Sequence, residues 1–64
     1  SQMIANIMSA RMKELGMTQK MLAEKMNCTQ QYISKILKGR ENLSLEAINK
    51  IENALDIHFL QMNE

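Results

Sequence analysis

Residues 18–40 read TQKMLAEKMNCTQQYISKILKGR, and the fold turns on that stretch. Leu22, Ala23 and Met26 recur at helical spacing, and so do Ile33 and Ile36. Each set makes the buried face of a short amphipathic helix. Thr18 and Thr29 stand where an N-cap hydroxyl meets the first free amides of each helix. Asn27-Cys28 falls between the two. Asn tolerates the left-handed conformation that ends a helix better than most residues with a side chain. Ala23 matters most on the first face, because two closely crossing helices leave room there for only a small side chain. The stretch predicts two helices joined at a steep angle by a turn of three or four residues, a helix-turn-helix.

The flanks read as support for that pair. Upstream, Ile4, Ile7, Met8, Met12 and Leu15 form one stripe of a helix over residues 2–15. Arg11 and Lys13 stand near its C-terminus, where cations complement the dipole, and Gly16 is its expected left-handed cap. Downstream, Gly39 ends the second helix of the pair, and a loop runs to Leu43. Ser44 is the N-cap of a further helix, with Glu46 in its first turn and Leu43 and Ile48 at hydrophobic-staple positions. Ala47, Ile48, Ile51, Ala54 and Leu55 carry its inner stripe, and Asp56 breaks the pattern. Ile57, Phe59, Leu60 and Met62 then suffice for a short fifth helix or an apolar tail. The expectation is one all-α domain of four to five helices over residues 1–64, alone or within a longer protein.

Composition agrees. The chain has 64 residues, no Pro, no Trp, two Gly, one Tyr and one Phe, and is rich in good helix formers. A chain of this length buries only about 60% of its unfolded surface, so its core is small. One Cys permits no internal disulfide and no Cys-based metal site, and it fits a reducing compartment such as the cytoplasm. No apolar run nears the roughly 18 residues of a membrane span. The net charge is +1, but the charges are segregated. Residues 15–40 hold five basic residues against Glu24, whereas residues 41–64 hold Lys50 against five acidic ones. That pattern suits one face that attracts phosphate and another that repels it, although ordinary surface scatter also produces it.

The outward side of the second paired helix carries the chemistry. Opposite Ile33 and Ile36 lie Gln31, Lys35 and Lys38, with Ser34 on the shoulder, Gln30 at the N-terminal tip and no acidic residue. Gln can bond adenine at N6 and N7, and Lys can donate to guanine O6 and N7. Gln30, Gln31, Ser34 and Lys35 are therefore candidate base readers, against the plainer alternative of an ordinary polar surface. Gln19 and Thr29, each at a helix start, can bond phosphate where the dipole favours an anion. Lys38, Arg40 and Asn42 follow as further phosphate candidates. Tyr32 lies at the edge of the buried face, its ring able to pack while its hydroxyl reaches solvent. Catalysis has little to work with. His58 lacks an evident partner, the Glu residues read as a solvated surface, and there is no Gly-rich phosphate loop. Cys28 reads as a small buried hydrophobe. The Met residues read as core filler, a Met-rich partner groove being the minor alternative.

Residues 15–57, LGMTQKMLAEKMNCTQQYISKILKGRENLSLEAINKIENALDI, resemble the helix-turn-helix domain of phage repressor/Cro and XRE-like transcriptional regulators. The resemblance rests on Thr18-Gln19, Leu22-Ala23, the turn at Asn27, Ile33, Ile36, Gly39 and Ser44-Leu45-Glu46. It implies a compact lambda-repressor-like domain with residues 29–37 as recognition helix. It implies base contacts from Gln30, Gln31, Ser34 or Lys35, and phosphate contacts from Gln19, Tyr32, Lys38, Arg40 or Asn42. It also implies a double-stranded DNA partner, a homodimer on a two-fold operator, and neither enzymatic activity nor a cofactor or metal. Ile57, Phe59, Leu60 and Met62 are the candidate dimer contact. Similar domains serve as antitoxins, with a toxin as partner. A helical interaction module without DNA binding is the alternative from another class. Two positions depart from the pattern: Asn27 stands where Gly is usual, and Leu37 where many relatives have Glu.

Overall fold

The computed structural model of the chain describes residues 2–59, most of them in four helices. These are α1 (Gln2–Leu15), α2 (Gln19–Met26), α3 (Gln30–Leu37) and α4 (Leu45–Leu55). Hydroxyls set the N-termini of α2, α3 and α4. The Oγ1 of Thr18 accepts from the Met21 amide, Thr29 Oγ1 from the Tyr32 amide and Ser44 Oγ from the Ala47 amide, each at 3.1 Å. A cap of this kind stabilises its helix by about 1 kcal/mol.

The C-termini share one device. Gly16, Asn27, Gly39 and Asp56 have φ of 64°, 58°, 74° and 55°, the left-handed region. After each, an amide returns to the carbonyl five residues back. Met17 donates to Met12 and Cys28 to Ala23, both at 2.9 Å, Arg40 to Lys35 at 3.3 Å and Ile57 to Glu52 at 3.1 Å. This turn satisfies carbonyls that the helix end would leave bare. Asn27 thus performs the turn that Gly usually performs at this position.

α3 and α4 each pack against both α1 and α2. Leu22, Ile33, Ile36, Ile51 and Leu55 are essentially inaccessible to solvent and meet Met8 and Met12 of α1 in one core. Burying each such side chain contributes about 1.5–3 kcal/mol. Ala23 is buried as expected, and Leu37 packs against the core rather than pairing as an ion.

Four expectations need correction. The buried stripe of α1 is Ala5, Met8 and Met12, while Leu15 at the last turn is 44% exposed. Ile4 and Ile7 only flank the core. Phe59, expected on an exposed dimer surface, is 5% exposed and belongs to the core. Its amide also donates to Glu52 Oε2 at 2.6 Å, so Glu52 is not simply a solvated surface acid. Residues 57–59 are not helical; Leu60 and Met62, with any fifth helix they form, lie outside the described residues. Ile57 remains, half-buried against the core. Arg11 does not serve its own helix end. Its Nε donates to the Leu55 carbonyl at 2.9 Å, capping α4 from α1, and its Nη1 meets Glu14 at 3.1 Å. Among the described residues no helix is long and apolar enough to cross a membrane.

Candidate nucleic-acid interface

α3 is anchored by its inner side and free on its outer side. Ile33 and Ile36 are fully buried, which fixes the rotation of the helix about its axis. Gln30, Gln31 and Lys35 are consequently exposed, and Ser34 is half-buried on the shoulder. No hydrogen bond or ion pair among the described residues engages these four side chains, or those of Lys38, Arg40 and Asn42. Their donors and acceptors are available to a ligand. The Thr29 oxygen is occupied by its cap bond, but the hydroxyl proton is still free to donate.

α2 contributes from a second direction. Gln19, the first residue of α2, lines a shallow depression together with Gln30, Gln31 and Ser34. The structure therefore joins Gln19 to three of the four candidate base readers. Lys35 does not line that depression; it follows Gln31 by four residues and so continues the same helical face. Tyr32 points elsewhere. It lines a separate depression with Asn27, Cys28 and Ser44, toward the turn and the start of α4. Cys28 is half-buried there, and burial pushes its thiol up from the ordinary value while the Lys50 ammonium partly offsets that. It is accordingly a poor nucleophile near neutral pH.

The turn after α3 carries Lys38 and Arg40 and is held by a contact that sequence patterning does not reveal. At Gly39, a Cβ would lie 2.7 Å from Gln2 Oε1 and 3.3 Å from Gln2 Cα. The start of α1 thus abuts this turn, and a side chain at this position would have to displace Gln2 while holding a φ of 74°, which glycine adopts without strain. The bond from Arg11 to Leu55, spanning 44 positions, is equally invisible to local periodicity. Among the described residues, no group of three His, Cys, Asp or Glu side chains is placed to hold a metal ion.

Two capped helices joined at Asn27–Thr29, the second carrying an unengaged Gln/Ser/Lys face, define a helix-turn-helix domain of the DNA-binding class. The chain belongs to the helix-turn-helix family of the Cro/C1, XRE-like type, whose profile matches residues 7–61. It is a family of DNA-binding regulators. No curated protein and no solved structure matches the chain.

Proposed function

We propose that this chain is the sequence-specific DNA-binding domain of a prokaryotic or phage transcriptional regulator. α3 enters the major groove, with Gln30, Gln31, Ser34 and Lys35 at base edges. Gln19, Thr29, Lys38, Arg40 and Asn42 hold the flanking phosphates. The observation that carries this reading is the outer face of α3: exposed, free of acidic residues, unengaged within the fold, and joined by Gln19 from α2. Phosphate contacts fix the docking angle, while Gln, Ser and Lys can distinguish the bases. Two copies bind a two-fold operator as a homodimer, without catalysis, cofactor or metal.

Selection from a random duplex library at low salt tests it. Enrichment of a two-fold motif supports the whole reading. Enrichment of a single half-site removes the homodimer and keeps base reading by α3. No enrichment, with no salt-dependent binding to bulk DNA, defeats the proposal, because phosphate contacts must release counterions.

A further inference from the structure

Lys25 and Lys50 line a groove apart from the depression at Gln19. The groove runs between the C-terminal turn of α2 and the middle of α4. It is lined by Lys25, Met26, Asn27, Lys50, Asn53 and Ala54 and shares no residue with the depression at Gln19. Met26 and Ala54 are nearly buried and form an apolar floor. The lysines and asparagines are exposed and form the rim. Among the described residues none of these four rim side chains makes a hydrogen bond or an ion pair. Glu46 stands one turn before Lys50, yet no ion pair closes between them.

We propose that this groove is a docking surface for an acidic segment of a partner protein, carrying carboxylates that flank one apolar side chain. The apolar side chain covers Met26 and Ala54. Its neighbouring carboxylates meet Lys25 and Lys50, and Asn27 and Asn53 bond the partner's backbone. Charge complementarity selects this occupant. Lys25 and Lys50 are the charged groups of the rim and neither is neutralised within the fold, so the rim attracts anionic side chains spaced to reach both. A short segment can place its charges at the two lysines alone. The groove is also open, so a small free anion would stay hydrated there, whereas a segment excludes water from the floor. The inference does not depend on base reading by α3.

The test is selection of random dodecapeptides on the chain, with Lys25→Glu/Lys50→Glu as counter-target. The expected result is a set of acidic peptides with one central apolar residue. They bind the parent chain at least tenfold more tightly than the double variant, and binding weakens as salt rises. In the presence of bound peptide, amide NMR shifts move at Asn27, Lys50 and Asn53 and not at Gln31. Should the double variant lose its helical signal, Lys25→Gln and Lys50→Gln are compared singly, each expected to lose affinity severalfold. Three outcomes overturn the proposal. The first is no enrichment over the counter-target, or equal binding to both chains. The second is a Lys25→Gln/Lys50→Gln variant whose salt slope for DNA falls by about two units, which would assign the lysines to the DNA surface. The third is self-association of the parent chain that the double variant abolishes, which would make the groove a contact between copies.

Discussion

Gln31 and Cys28 show how burial sorts polar residues only a few positions apart. Gln31 is exposed and unengaged, so its amide costs nothing to withdraw from the fold. Gln31→Ala should leave thermal stability unchanged and lower affinity for the selected site by about 1–3 kcal/mol. The loss should appear at one base position, as relaxed preference in a binding matrix. An equal loss on random DNA would remove Gln31 from base reading. Cys28 is the opposite case, since desolvation disfavours its thiolate and Lys50 only partly restores it. A thiol pushed up in the folded state favours the fold while protonated, and that contribution declines as pH rises past the unfolded thiol value of about 8.5. Alkylation by iodoacetamide should therefore still be accelerating above about pH 8.5, where an unfolded thiol begins to level off. Lys50→Gln should slow it further at any fixed pH. A plateau near pH 8 would contradict the burial argument.

At the scale of elements, the helix ends were legible and the long-range ties were not. Thr18, Thr29 and Ser44 cap as their positions predict, and Gly16 and Asn27 turn left-handed as expected, because these are contests among neighbouring residues. The inner faces of α2 and α3 follow for the same reason, as does the outward display of Gln30, Gln31 and Lys35. Hydropathy alone favours Leu15 over Ala5 in the stripe of α1. Burial instead follows the helices packed against α1, where a small residue fits and a terminal one escapes. The bond from Arg11 to Leu55 and the seat of Phe59 depend on how α1, α4 and the following turn meet, and no local pattern encodes that. Both carry predictions. Arg11→Ala removes a charged donor from a helix-end carbonyl and should cost about 1.5–3 kcal/mol in urea unfolding, while the exposed pair with Glu14 adds little. Glu14→Ala should thus be nearly silent. Phe59→Ala should cost about 3–5 kcal/mol whatever the protein concentration, as for a core residue. A loss that grew with dilution would restore Phe59 to a dimer contact.

For the whole molecule, shape and charge bear on the proposed homodimer. The described part measures 33 × 24 × 18 Å. Half-sites one helical turn apart are separated by about 34–36 Å, close to the long dimension of one copy. With that dimension laid along the DNA, two domains on adjacent half-sites would touch only at their near ends. Specific, stable interfaces commonly bury about 1,200–2,000 Å², more than an end-to-end contact of that kind would be expected to supply. Segregated charge works in the same direction, because the basic half of each copy is drawn to DNA while nothing comparable draws the copies together. Lys38→Ala should accordingly weaken binding on every sequence and reduce the salt slope by about one unit. The free chain should sediment as a monomer at micromolar concentration and load onto a two-fold site cooperatively, with little singly occupied DNA in a mobility-shift titration. Inserting about five base pairs between the half-sites rotates one copy by about half a turn to the opposite side of the helix. The singly occupied band should then accumulate, because the end-to-end contact can no longer close. If cooperativity survives the insertion, the copies do not meet through a contact held at that spacing.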